Sequence, residues 1–600
     1  MNPEIKNCQN CKQDFTIESE DFAFYDKIKV PSPTFCAECR LVRRLTWRQD
    51  RTLYKDKCNS CGEDMMSLYH PDSPYTVYCS PCWWADSWDA SEYAREYDFS
   101  KPFFQQFHEL MIAVPKQATY LTKSIDCKYS DAVTNCKNCY LNFGSYIAED
   151  CLYCNTALMS KSCVDSDLGI NMDHAYGTYN SDDVYNTKFV WFSEECMDSS
   201  FLFDCRGCLD CFGCVNLRNK KYHIFNRACS KKEYAEQMKY WDMGSYKKVL
   251  EAKARFLDLY YSTPHRPSWI TNAVNVTGDN IENTKNCQTC FATKNGVENC
   301  KYIFLGGLNL KDSYDVCFTG ESAELLYEGV GSLHVHGSSF FKGASESLNI
   351  EYCDQARSAK KLFGCAGIQD KKFCILNKQY SEKEYDVMVE KIKEHMDEMP
   401  YIDKSGREYK YGEYFPTEIS PWAYNESTAY QWFPLRKEEA LTKGYSWEAR
   451  EKRDYKISVR TSDLPDHIRD VPDSILEEVI SCKHAEESVH SFGCEDICTT
   501  AFKIIPEELQ FYRSMNITLP RLCFNCRYYE RISLRNPPKL WHRQCECEGQ
   551  KSKQKGDNQY TNTATHVHGT AHCTTEFETA YSSEKREIIY CEKCYQEEFI

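Results

Sequence analysis

Phe212 to Tyr234 reads FGCVNLRNKKYHIFNRACSKKEY and Phe363 to Tyr385 reads FGCAGIQDKKFCILNKQYSEKEY, one segment met twice without a gap, 151 residues apart. Each copy ends on a capping box, Ser230-x-x-Glu233 and Ser381-x-x-Glu384, and so predicts a closing helix. The duplication reaches back to Cys136-x2-Cys139, matched by Cys287-x2-Cys290. Between these marks residues 124–229 set Tyr, Phe, Leu and Cys among small polar residues in short runs that lack a 3.6-residue period. The runs AEDCLYCNTAL (148–158), SKSCVDSDLGI (160–170), SDDVYNTKFVW (181–191) and SEECMDSSFLF (193–203) recur at loosely ten to thirteen residues, which predicts a parallel β-helix with two runs in each coil. The fold class expected is therefore mostly β: two tandem β-helix-like solenoid lobes, each with a capping helix. A pair of β-sandwiches is the alternative, and the density of Asn, Asp and Cys at turn positions weighs against it.

A second duplication frames the first. FTIESEDFAFYDKIKVPSPTFCAECR at 15–40 matches FKIIPEELQFYRSMNITLPRLCFNCR at 502–527, so Cys36 and Cys39 meet Cys523 and Cys526. Beyond an insertion from Glu548 to His572, Cys79 and Cys82 meet Cys591 and Cys594. The first cassette carries four Cys-x2-Cys knuckles: Cys8/Cys11, Cys36/Cys39, Cys58/Cys61 and Cys79/Cys82. Two knuckles close a four-sulfur tetrahedron, so eight cysteines make two structural zinc sites with no position left for water or substrate. In the second cassette the expected ligands are Cys494, Cys498, Cys523, Cys526, Cys545, Cys573, Cys591 and Cys594, with Cys547, His566, His568 or His572 as substitutes. About four Zn2+ follow for the chain. Spacing alone leaves open which knuckles share an ion.

The stretch from Cys8 to Arg44 resembles the probable zinc-ribbon domain found in many bacterial proteins. The wider plan, ribbons at both ends around Cys-rich repeats, resembles large bacterial proteins without an assigned activity. That resemblance implies zinc and little else. The further knuckle-spaced pairs at 136/139, 151/154, 205/208 and 211/214 read as packing thiols, because the second repeat dispenses with the last two pairs.

The whole chain has 600 residues, 37 cysteines and a formal charge of −16. The odd cysteine count speaks against a pure disulfide framework, and the negative charge against a whole-surface grip on nucleic acid or an anionic membrane. A polar start and the lack of a long apolar run predict a cytoplasmic protein without membrane association. Basic charge gathers at the ribbons, where Arg40, Arg44 and Arg48 recur at helical spacing, matched by Arg527, Arg531 and Arg535. These arginines are the candidate nucleic-acid contacts, against a blander reading in which they dock on the acidic body of the protein. Asp165, Asp167, Asp173, His174, Asp182 and Asp183 are what a carbohydrate-active β-helix enzyme would use, though Asp is also a default turn residue. His334-Val335-His336 and His566-Val567-His568 read as coincidence, for want of a third ligand.

The domains expected are a double zinc-ribbon cassette at 1–85, a helical connector at 86–123, solenoid lobes with capping helices at 124–262 and 263–398, an aromatic-rich linker at 399–480 and a second cassette at 481–600. The function expected is that of a non-enzymatic, zinc-stabilised scaffold with protein partners. Nucleic-acid binding through the Arg faces is second, and carbohydrate chemistry third.

Overall fold

The computed structural model describes residues 2–449, 455–488, 494 and 496–600. The chain is strand-rich, and its two large sheets are built mainly of parallel pairings. From Lys123 to Phe225 every third residue has a left-handed backbone, with φ between 45° and 69°. Each is a corner. Parallel bridges join residues twelve apart, as in Ile125↔Lys137, Lys128↔Tyr140, Asp131↔Phe143 and Thr134↔Tyr146, so a turn of chain has twelve residues and four corners. Each recurring run is thus a whole turn, where the sequence had suggested half of one. Asn and Asp crowd the corners because they tolerate the left-handed region, and their side chains stack between turns: Asn138 Nδ2 donates to Asp150 Oδ1 at 3.1 Å and Asn186 Nδ2 to Asp198 Oδ1 at 2.7 Å.

The residue after each corner points inward, and a twelve-residue turn leaves it little room. Cys136, Cys139, Asn142, Ser145, Ala148, Cys151, Cys154, Ala157, Ser160 and Cys163 follow one another at this position, all buried. Serines there accept from the backbone one turn on, Ala157 N–H to Ser145 Oγ at 3.1 Å and Met172 N–H to Ser160 Oγ at 3.2 Å. Thiols do the reverse: Cys151 Sγ lies 3.4 Å from Glu149 O and 3.6 Å from Ser160 O, as a weak donor. The interior cysteines serve the stack as small, self-satisfied fillers.

The second stack runs from Val274 to Ile375 and is less regular. Its register is thirteen residues at Phe291↔Phe304 and Tyr314↔Tyr327, then twelve from Glu324↔His336 to Lys360↔Lys372. Both stacks end as expected, in helices Lys231–Tyr240 and Glu382–Glu398 whose capping boxes are formed in both directions. The connector helix, Phe103–Ala113, begins after Pro102. Phe103 and Phe104 pack edge-on against Tyr352, and Phe107 stacks on Phe415.

The end cassettes cross over. Helix Ala37–Leu45 of the first cassette lies on strands Tyr314–Thr319 and Ala323–Leu333 of the second stack. Helix Phe524–Ile532 of the last cassette lies on the first stack, with Phe524 stacked on Tyr153. The linker fills the seam: Trp422 Nε1 donates to Leu68 O at 3.0 Å, and Tyr414 OH to Phe341 O at 3.2 Å. Its residues 450–454 lie outside the described ones.

Candidate metal centres

Each cassette holds two short antiparallel hairpins. In the first, Glu4–Asn7 pairs with Asp14–Ile17 and Tyr54–Lys57 with Asp64–Ser67. Cys8 and Cys58 directly follow the first strands, and the chain turns back through left-handed Lys12 (φ 60°) and Gly62 (φ 78°), bringing Cys11 and Cys61 beside them. The remaining two ligands come from a helix start. Cys36, Cys79, Cys523 and Cys591 each occupy the N-cap position of a helix, and Cys39, Cys82, Cys526 and Cys594 follow in or beside its first turn. A helix N-terminus favours negative charge, so a thiolate is stabilised there.

Four tetrads result: Cys8/Cys11/Cys36/Cys39, Cys58/Cys61/Cys79/Cys82, Cys482/Cys498/Cys523/Cys526 and Cys545/Cys573/Cys591/Cys594. Neighbouring knuckles share a site, which settles the pairing that spacing left open. The sulfurs meet closely, with Cys11–Cys36 and Cys61–Cys79 at 3.8 Å, and Cys498–Cys523 and Cys573–Cys591 at 3.9 Å. All four sites share one further bond. The third ligand's backbone N–H points at the first ligand's sulfur, at 3.3 Å for Cys36–Cys8, Cys79–Cys58 and Cys523–Cys482 and 3.1 Å for Cys591–Cys545. Burial works to raise the Cys58 thiol, but the backbone N–H groups of Cys79, Cys61 and Ser60 bring it down to about 6. The clusters are compatible with structural metal sites.

The third tetrad differs from the expected ligand set at one position. Cys482 takes the place assigned to Cys494: it follows strand Ile480–Ser481, which pairs with Ala501–Phe502 as Glu4–Asn7 pairs with Asp14–Ile17. Cys482 and Cys498 are far apart in sequence, so no Cys-x2-Cys signal marks the pair. Cys494 lies beside the tetrad, with its sulfur 3.5 Å from His484 Nδ1. Cys545 is the ligand of the fourth tetrad, and Cys547 sits with His566, His568 and Cys594 in an adjoining group. The reading of the His566–His568 pair as coincidence is corrected, because it missed these two sulfurs. His572, the remaining substitute, is exposed, and His334 lies 3.8 Å from Glu321.

The arginine faces are turned inward, as the blander reading had it. Arg40, Arg43 and Arg44 are buried against the second stack and meet Asp315, Glu328 and the linker's Glu413: Arg40–Asp315 2.9 Å, Arg44–Asp315 2.9 Å, Arg44–Glu328 2.9 Å, Arg43–Glu328 2.8 Å and Arg43–Glu413 2.7 Å. The other cassette repeats this on the first stack. Arg527 and Arg531 share Asp165 at 2.7 and 2.9 Å, and Arg531 reaches Asp167 at 2.7 Å. Burial tends to discharge Arg44, but Asp315, Cys317 and Glu328 hold its guanidinium above the ordinary value. Arg48 pairs with Asp50 and covers the Phe318 ring, while Arg535 covers Trp432 at 3.7 Å. Arg40, Arg44, Arg527 and Arg531 are thus withdrawn as phosphate contacts, since burial and their own carboxylates occupy them.

The acidic cluster is likewise used within the fold. Asp165 and Asp167 bind the arginines, Asp182 pairs with Lys294 at 2.5 Å, Asp183 accepts from Asn171, and Asp173 pairs with His174. Among the described residues no helix is long and apolar enough to cross a membrane. Compared with protein families, with curated proteins and with solved structures, the chain matches none.

Proposed function

We propose that the protein is a zinc-locked scaffold: two β-solenoid lobes clamped by crossed zinc-ribbon cassettes, acting through binding rather than catalysis. The observation that carries the reading is the sulfur geometry. A tetrahedron with Zn–S bonds of ~2.3 Å has edges of ~3.8 Å, and in each of the four tetrads one sulfur pair stands 3.8–3.9 Å apart with all four sulfurs within 4.8 Å of one another. Four sulfurs close the coordination sphere, so the ions are structural. Cytoplasmic residence suits this many reduced thiols. The chemistry of a carbohydrate-active site is not needed to explain the aspartates, which already have partners.

Protein partners are favoured over nucleic acid because four of the six arginines that would grip phosphate, Arg40, Arg44, Arg527 and Arg531, are spent on buried ion pairs. The test is a titration of the zinc-loaded protein with labelled single- and double-stranded DNA and RNA at several salt concentrations. No binding at low salt is the result expected. Micromolar binding that weakens steeply with salt would restore the nucleic-acid reading through another surface, since phosphate contacts release counterions.

A further inference from the structure

The insertion that separates Cys545 from Cys573 returns to the fourth tetrad with a second set of donors. Cys547, His566, His568 and Cys594 place one donor atom each within 4.8 Å of all the others. Cys594 belongs to both sets. We infer that the last cassette holds two metal ions bridged by the Cys594 thiolate, a four-sulfur site and a Cys2His2 site side by side. This rests on the reading of the tetrads as metal sites, and adds a fifth ion to them.

The imidazoles carry the argument. His566 Nε2 lies 3.1 Å from Glu598 Oε2, and its Nδ1 lies 3.1 Å from Cys547 Sγ. His568 Nδ1 lies 2.7 Å from Ala571 O, and its Nε2 lies 3.3 Å from Cys594 Sγ. A carbonyl and an ionised carboxylate only accept, so each ring's proton is committed on the outer side and each bare nitrogen faces sulfur. Once Cys594 is a thiolate of the tetrad it has no proton to give. A neutral His568 then turns a lone pair toward a negative sulfur at 3.3 Å, a contact that a metal ion between them, or a proton on the ring, makes favourable.

The surroundings fit a built site. His566 is buried, and Glu598, which orients it, also accepts from Thr563 N–H at 2.7 Å and Tyr560 OH at 3.0 Å. Asn562 Nδ2 lies 3.3 Å from Cys547 Sγ. Histidine ligands held from behind by a carboxylate or carbonyl are the usual second layer of a metal site. Two imidazoles and two thiolates at a closed tetrahedron suit zinc, so this ion is also structural, tying the insertion to helix Glu592–Phe599.

Cadmium-substituted protein tests this, read by cadmium NMR, together with the zinc count of the native protein by mass spectrometry. Wild type should hold five zincs and show one cadmium in a mixed nitrogen–sulfur environment, coupled through the shared thiolate to a four-sulfur cadmium. His566→Ala/His568→Ala should lose one ion and that coupling, and keep the four-sulfur resonances. Four-sulfur resonances alone in wild type, with four zincs, would overturn the bridged pair and leave the tetrads standing. Absence of the four-sulfur resonances as well would overturn both readings. The wild-type spectrum decides the matter even if the double variant misfolds.

Discussion

Arg44 and Asp315, 271 residues apart in the chain, meet at 2.9 Å with both side chains fully buried. The same relationship recurs at Arg531 and Asp165, 2.9 Å apart across the other cassette and stack. The two ends of the protein are therefore crossed, each cassette held by ionic plugs in the lobe more distant from it in sequence.

Arg44→Ala leaves Asp315 and Glu328 buried with one cation fewer. Removing one partner from a buried network costs about 3–5 kcal/mol, mostly through the stranded charge. Urea unfolding should show a loss of that size for Arg44→Ala and for Arg531→Ala. A change near that of a surface ion pair, under about 1 kcal/mol, would mean the pairs are solvated and the docking is wrong.

Ser145 fills the narrow interior and accepts the Ala157 N–H. Ser145→Ala keeps the volume but orphans a buried donor, at a cost of about 1–3 kcal/mol. Ala157→Leu overfills the next turn and should cost a similar ~1–3 kcal/mol. Thermal unfolding of the two variants checks both. If leucine is accepted without loss, the turn is wider than twelve residues allow.

Cys482 and Cys494 make opposite predictions. Cys482→Ser should empty the third tetrad and destabilise the last cassette, whereas Cys494→Ser should leave that tetrad filled. Metal content of the two purified variants, with limited proteolysis of the cassette, separates them. The reverse pattern would return the ligand role to Cys494.

Acid should release the metals before it unfolds the stacks. The ligands must be thiolates, so protons compete with metal as pH falls, and stability that is present at neutral pH is lost on the acid side. Chelator at neutral pH should do the same, exposing Trp47 and Trp422, both buried at the first cassette and its seam. Unchanged tryptophan fluorescence after full metal removal would show that the cassettes stand without their ions.

The first cassette was legible in the sequence because its ligands come as four short knuckles whose geometry is local. Cys482 was not, since it stands far from Cys498 in sequence and only the strand pairing of Ile480–Ser481 with Ala501–Phe502 reveals its place. The stacks were half legible. Runs such as 181–191 and 193–203 gave their parallel recurrence, but the true period of three was masked, because inward Ser, Cys and Ala alternate with corner Asn or Asp and with outer residues that the cassettes also bury. Tyr153, a corner residue, and Val164, an outer one, are buried for that reason. The Arg spacing was plain, whereas its meaning depended on Asp315 and Asp165, whose distance along the chain no local pattern carries.

The most direct test of the zinc-locked account is native mass spectrometry of the purified protein with a parallel count of free thiols. The account predicts a zinc at each of the four tetrads at least, and no disulfide among the 37 cysteines. Two or fewer metals, or widespread disulfides, would contradict it.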